Sequence, residues 1–95
     1  MRNNQVSLGD AIKEWIKEKR LNEPILEAKI AKAWEKVAGE YNARNTKSIA
    51  FKGGRLYITV TNPALKQNLF YSRETIADNL NQEIKTDAIR EVIIY

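Results

Sequence analysis

Basic side chains without acidic neighbours dominate one continuous stretch of this chain. Between Tyr41 and Arg73 there are six Lys or Arg residues and no Asp or Glu, although the net charge of the whole protein is only +4. Cations concentrated on one part of a small domain gain affinity for a polyanion by displacing counterions from its phosphates. The segment therefore favours nucleic-acid binding, with a solvated face that keeps the protein soluble as the alternative.

The candidate contacts follow from the position of these charges. Lys52 and Arg55 flank two glycines that would let the backbone approach a phosphate, although any tight turn needs glycine and tolerates charge. Lys66 would lie in the first turns of a helix that begins after Asn62, close to the N-terminal end of a helix dipole, which favours anions. We expect one continuous positive surface, and its predicted nucleic-acid-binding residues are Arg44, Lys47, Lys52, Arg55, Tyr57, Lys66 and Arg73.

Three tyrosines in the same segment offer a second kind of contact. Tyr41, Tyr57 and Tyr71 could stack on unpaired bases. Alternatively, their rings pack at the edge of the core while the hydroxyls stay in water. Tyr57 is the best candidate for stacking because its predicted neighbours on the sheet are small.

The residue types needed for catalysis are largely missing. The chain has no Cys and no His, which removes disulfides, thiolate and imidazole nucleophiles and the usual zinc ligands. Glu14 and Glu18 lie one helical turn apart among lysines, which is typical of a solvated helix face. No glycine-rich phosphate loop is present either. We therefore predict a protein that is not an enzyme and uses no metal, cofactor or small-molecule substrate.

Length and hydropathy indicate one domain in the cytoplasm. A chain of 95 residues suits a single core, with residues 1–6 expected to be disordered and residues 7–95 to form the domain. The longest apolar run, Val92 to Tyr95, is far too short to span a membrane, and the first residues do not resemble a signal peptide. We expect a soluble, nucleoid-associated protein without a membrane partner.

Two amphipathic helices are predicted to open the fold. Ser7 and Asp10 resemble a capping box for a first helix that ends near Arg20. Pro24 suits the first turn of a second helix, where its missing N–H costs nothing, and Gly39 suits the end of that helix.

The two tryptophans lie on the apolar stripes of these predicted helices. Large aromatic side chains dominate the cores of small domains, so Trp34 and Trp15 are interpreted as core residues. If the first helix packs loosely, Trp15 would instead belong to a protein-docking surface.

Alternating residues predict a β-hairpin after the helices. The segments 46–51 and 56–60 are separated by a turn in which Gly53 and Gly54 supply positive φ angles. The hydrophobic pattern places Ile49 and Phe51 on one face with Leu56, Ile58 and Val60, leaving a small, mostly polar second face.

One helix and one strand complete the predicted order. Asn62 caps a third helix that begins at Pro63, and its apolar stripe extends to Ile84. Residues 89–95 suit a last strand that returns to the sheet through a right-handed crossover. The fold class is α+β with the order ααββαβ, in which helices pack on one face of a three-stranded sheet.

An ordered set of residues resembles a known bacterial family. The matching features are Trp34, Val37, Ala38 and Gly39 at a helix end, a strand containing Thr, the segment Lys52-Gly53-Gly54-Arg55-Leu56-Tyr57-Ile58-Thr59-Val60, and Asn62-Pro63 followed by Leu65 and Leu69. In their spacing, from about Leu8 to the C-terminus, these features resemble the DciA-like family, long catalogued as a domain of unknown function. The chain resembles a short form without the basic, flexible extension of many members.

The resemblance implies a KH-like α+β domain that acts in chromosome replication. Its members look like loaders or recruiters of the replicative DNA helicase and bind single-stranded or structured DNA through basic surface. The Gly-x-x-Gly loop of ordinary KH domains is missing here, so their clamp on the nucleic-acid backbone is not expected. A protein-interaction domain without relevant nucleic-acid binding and an RNA-binding module are the alternatives.

Overall fold

The computed structural model describes the backbone of residues 8–95 and the side-chain environments from residue 23 onward. Predictions that fall outside these residues concern the disorder of residues 1–6, the cap at Ser7, and the side chains of Asp10, Glu14, Trp15 and Glu18. None of the helices in the described part of the chain has the length and hydrophobicity of a membrane span.

Four helices and three strands make up the described chain. Their order is α1 (Leu8–Ala38), α2 (Glu40–Arg44), β1 (Thr46–Lys52), β2 (Arg55–Val60), α3 (Pro63–Tyr71), α4 (Arg73–Ile84) and β3 (Glu91–Ile94). The strands form a mixed sheet in the order β1-β2-β3, antiparallel between β1 and β2 and parallel between β2 and β3. A parallel pair needs a long crossover, which α3 and α4 supply. The α+β class is confirmed.

The hairpin has the predicted register. Ile49 pairs with Ile58 and Phe51 with Leu56, so these residues share one face of the sheet, and Ala50 pairs with Tyr57 on the other. A two-residue turn fixes this register because both of its glycines have positive φ angles, 59° at Gly53 and 84° at Gly54.

The core lies between the apolar face of the sheet and the helices. Leu56 and Ile58 of β2 are completely buried, as are Ile30 of α1 and Leu80 of α4. The opposite sheet face is open, with Ser48 and Ala50 exposed.

Trp34 is buried at 2% exposure, so its interpretation as a core residue is confirmed. Its indole Nε1–H donates a hydrogen bond of 2.8 Å to Thr46 Oγ1.

One continuous helix replaces the two that were predicted at the start. α1 continues through Pro24, so the expected boundary near residues 20–23 is wrong. A proline inside a helix costs about 3 kcal/mol because a backbone hydrogen bond is lost. Contacts on both sides of this proline oppose that cost: Glu23 Oε1 accepts from Gly53 N–H at 3.2 Å, and Glu27 Oε2 accepts from Phe51 N–H at 2.8 Å.

The predicted third helix is divided at Ser72 into α3 and α4. Its start is as predicted, since Asn62 Oδ1 accepts a hydrogen bond of 2.7 Å from Leu65 N–H and Pro63 lies in the first turn. At the break, Ser72 N–H donates to carbonyls of α3 while the Ser72 carbonyl accepts from Ile76 N–H at 2.9 Å. The same apolar stripe therefore serves two helices.

Candidate nucleic-acid interface

The turn of the hairpin places two cations side by side. Lys52 and Arg55 are register partners that flank Gly53 and Gly54, and both of their side chains are exposed. Within the described residues, nothing lies within 4 Å of the point where a Gly53 side chain would begin, although Glu23 Oε1 already accepts from the Gly53 N–H at 3.2 Å. An extended anion can therefore lie along the open side of the turn while flexible cations contact it from both strands.

Parallel pairing of β3 brings a third cation to the turn. The backbone N–H of Arg90 donates to the Gly54 carbonyl at 2.8 Å, and the Arg90 Nε atom lies 3.3 Å from where a Cβ on Gly54 would stand. Arg90 was missed because it lies outside the acid-free segment. It would have been found only by predicting that the start of β3 lies beside the start of β2.

These side chains line an open groove of about 720 Å³. Lys52, Arg55 and Arg90, which we call the hairpin group, surround it together with Tyr57 and Glu91. Arg55 Nε lies 3.3 Å from Glu91 Oε1, but both side chains are more than half exposed, so this ion pair is weak and exchangeable. Within residues 23–95, Lys52 and Arg90 have no carboxylate within 4.0 Å. The groove therefore keeps a positive surplus.

Two stacked tyrosines extend from this groove over the open sheet face. The Tyr57 and Tyr95 rings are nearly parallel, with an interplanar angle of 6° and centroids 6.3 Å apart. Tyr57 is half-buried and Tyr95 is 55% exposed. The sequence reasoning selected Tyr57 but missed Tyr95, whose place on this face follows from alternation beyond Ile93, the register partner of Tyr57.

The other cations of the acid-free segment lie at a different place. Arg44, Lys47 and Lys66 are near the opposite end of β1, where Thr61 N–H donates to the Asn45 carbonyl at 2.9 Å. Lys47 and Lys52 are five positions apart on the strand, which is roughly 17 Å at the usual rise of a strand. The strand thus places Lys47 and Lys52 near opposite ends of β1, and the single continuous positive surface expected from the sequence stays a prediction.

Two of the predicted residues are engaged within the chain. Arg44 lies 3.4 Å from Glu40 in an exposed pair one helical turn apart. Arg73 stacks on Phe70 with its guanidinium carbon 4.1 Å from the ring centroid, and it donates to the Phe70 carbonyl at 2.8 Å. Arg73 also lines a shallow groove with Arg90 and Glu91, so it lies beside the hairpin group rather than within it.

Tyr41 and Tyr71 are the remaining candidates for stacking. They are 61% and 73% exposed, so their rings are mostly in water rather than packed at the edge of the core. Tyr71 belongs to α3 and lies beside Phe70, at 6.1 Å between centroids. Neither ring joins the pair on the sheet.

Comparison with known proteins gives one family. No curated protein matches the chain, and no solved structure does, so the KH-like comparison remains a prediction. The family model described as "Dna[CI] antecedent, DciA" matches residues 7–94. That family consists of helicase loaders or adaptors in bacterial DNA replication. Since the match covers nearly the whole sequence, the chain belongs to the DciA family.

Proposed function

We propose that this protein is a non-enzymatic adaptor of bacterial DNA replication that binds single-stranded DNA and the replicative DNA helicase. The observation that supports DNA binding most directly is the hairpin group next to the Tyr57–Tyr95 pair. Family membership supports the helicase partner and a place of action in the cytoplasm, at the nucleoid.

The arrangement suits a single strand better than a duplex. Cations at the groove would neutralise the phosphates, while unpaired bases would lie against the exposed tyrosine rings. Bases inside a duplex present no free ring face to such a platform. The open sheet face next to the turn would therefore prefer unpaired nucleotides.

Helicase recruitment by such a domain needs no ATP hydrolysis of its own. A domain that contacts DNA and helicase together raises the local concentration of one near the other. Nucleic-acid contacts at the hairpin group would leave the helical surfaces available to the helicase.

A specific observation supports the second candidate, a protein-interaction domain. Phe70 and Tyr71 are large exposed aromatics at 47% and 73%, and Arg73 stacks on Phe70. Aromatic and Arg side chains are the types that dominate binding energy at protein interfaces. If nucleic acids do not bind, this α3–α4 junction is the better candidate for the function.

Competition binding tests the proposal. A labelled single strand is competed with unlabelled single-stranded DNA, duplex DNA and RNA at near-physiological salt, followed by a salt titration. We expect single-stranded DNA to compete best. Lys52→Glu with Arg55→Glu should weaken binding and flatten its salt dependence, because fewer counterions are released.

The control reverses two charges elsewhere. Lys29→Glu with Lys32→Glu changes the net charge equally but lies on exposed α1 positions outside the groove, so binding should stay near that of the unaltered protein. Equal losses in both double variants would indicate generic electrostatic attraction. Failure of all three nucleic acids to bind would favour the interaction domain, and preference for RNA would favour the third candidate, an RNA-binding module.

A further inference from the structure

A second basic groove lies between α1 and the end of α4, and we propose that it binds an acidic segment of a protein partner that also carries an aliphatic side chain. The groove has a volume of about 450 Å³ and is lined by Lys29, Lys32, Ala33, Lys36, Glu83, Ile84 and Lys85. It shares no residue with the hairpin group. The proposal is therefore independent of DNA binding.

The spacing on α1 places three lysines in one line. Lys29, Lys32 and Lys36 are separated by three and four residues, which puts them on the same helix face. Ile25, one turn before Lys29, continues this face and is 56% exposed. The core-facing stripe of α1 contains Ile30 and Trp34 instead. The lysine face is thus a separate surface with an exposed apolar residue at one end.

The charges around the groove are unbalanced. Among the lining residues within 23–95, Glu83 is the one carboxylate, and it is engaged with Lys36 at 3.0 Å. Within residues 23–95, Lys29, Lys32 and Lys85 have no carboxylate within salt-bridge distance. Three cations therefore remain for a ligand.

The backbone at Lys85 adds a second observation. This residue ends α4 in the left-handed conformation, with φ 56° and ψ 54°, at a position where glycine is usually preferred. A cation near the carbonyl end of a helix is favoured by the helix dipole, which accounts for the charge of Lys85 but not for the lysines of α1. A lysine rather than glycine here adds a fourth cation to the rim of the groove.

The apolar lining favours a peptide over a nucleic-acid strand. Ile84 is half-buried and contributes apolar surface among the lysines, next to the buried Ala33, and such surface suits an aliphatic side chain flanked by carboxylates. A phosphate backbone would gain nothing from that lining and would approach Glu83. None of the described residues that line the groove is aromatic, so they offer no ring on which a base could stack.

The probe is a short, fluorescently labelled peptide of Asp-Glu-Leu repeats, measured by anisotropy with the full chain. We expect saturable binding that weakens about tenfold in Lys29→Glu with Lys32→Glu, since complementary charges are replaced by like charges. Lys29→Gln with Lys32→Gln should show a smaller loss of peptide affinity. This neutral variant replaces the charge-reversed one in the test if charge reversal disturbs folding. Lys52→Glu with Arg55→Glu should bind the peptide as the unaltered protein does.

Two control peptides separate the contributions. Asn-Gln-Leu repeats remove the charge and Asp-Glu-Ser repeats remove the apolar anchor, and both should bind more weakly. The proposal is overturned if the probe does not bind or if the α1 variants bind it with unchanged affinity. It is also overturned if single-stranded DNA displaces the probe and the α1 variants no longer bind single-stranded DNA. If the hairpin variant loses DNA binding but still binds the peptide, both proposals are supported. If the unaltered protein binds the peptide but no DNA, the DNA-binding proposal fails and the peptide-binding proposal is still supported.

Discussion

Glu27 Oε2 accepts a hydrogen bond of 2.8 Å from the backbone N–H of Phe51, joining α1 to the strand that carries the hairpin turn. Glu23 repeats the contact one helical turn earlier with Gly53. Four helical residues rise about 6 Å and two extended residues about 7 Å, so the spacing of the carboxylates matches that of the Phe51 amide at the end of β1 and the Gly53 amide in the turn. The helix and the turn therefore hold each other in register.

Removing the Glu27 carboxylate should destabilise the fold. Glu27→Ala leaves the part-buried Phe51 N–H without its acceptor, and we expect a loss of about 1–2 kcal/mol in the free energy of unfolding. Urea denaturation measures it. Glu27→Gln, which keeps an acceptor oxygen, should lose less, and Glu35→Ala, at an exposed position of the same helix, should be near neutral. Equal midpoints for Glu27→Ala and Glu35→Ala would contradict the argument.

The Thr46 hydroxyl should matter more than its methyl group. It accepts from the Trp34 indole at 2.8 Å and donates to the Asn42 carbonyl at 2.7 Å, linking α1, α2 and β1. Thr46→Val leaves the indole N–H unpaired, so we expect about 1–2 kcal/mol lower stability, again from urea unfolding. Thr46→Ser keeps the hydroxyl and should therefore retain most of the stability of the unaltered protein. A valine variant as stable as the unaltered protein would show the hydroxyl to be dispensable.

The two glycines of the turn should respond differently to substitution. Gly54→Ala combines a positive φ with a contact of 3.3 Å to Arg90 Nε and 3.5 Å to the Ala88 carbonyl. We expect a loss of about 1–2 kcal/mol, seen in thermal or urea unfolding. Gly53→Asn has open space around it, and Asn tolerates the left-handed region, so it should lose only tenths of a kcal/mol. The reverse ranking would exclude crowding by Arg90.

The stacked tyrosines should contribute to DNA affinity through their rings. Tyr57→Ala and Tyr95→Ala should each weaken binding to a single strand by about 1–3 kcal/mol if a base stacks fully on that ring. Anisotropy titrations at fixed salt measure the change. Tyr57→Phe should bind normally because the ring remains, and Tyr71→Ala on α3 should have little effect. A loss in Tyr57→Phe as large as in Tyr57→Ala would point to the hydroxyl instead.

Local rules predicted the hairpin well and the helix boundaries poorly. The register of Phe51 with Leu56 follows from alternation and a two-glycine turn, both of which lie within a few residues. Pro24 is typical of a first helical turn, but the glutamate contacts to β1 come from distant parts of the chain and favour one long helix. The break at Ser72 keeps the apolar stripe in phase, so periodicity could not reveal it.

The candidate site was also predicted only in part, because local patterns do not reveal contacts between distant parts of the chain. Lys52, Arg55 and Tyr57 belong to the hairpin itself, and their grouping follows from its register. Arg90 and Tyr95 join them only because β3 returns in parallel beside β2, which depends on how the crossover packs. For Lys47 and Lys66, closeness in the sequence did not predict closeness to the hairpin group in space, because an extended strand separates residues that are near one another along the chain.

Glu23 and Glu27, which bind amides of the hairpin turn and of β1, also affect how molecules of this protein meet one another. An unpaired strand at the margin of a sheet is a template for intermolecular pairing and fibre formation. An incoming chain would first have to displace Glu23 and Glu27 from Gly53 and Phe51. The flank of the sheet next to the hairpin turn is thereby protected against self-association when many copies gather in one place.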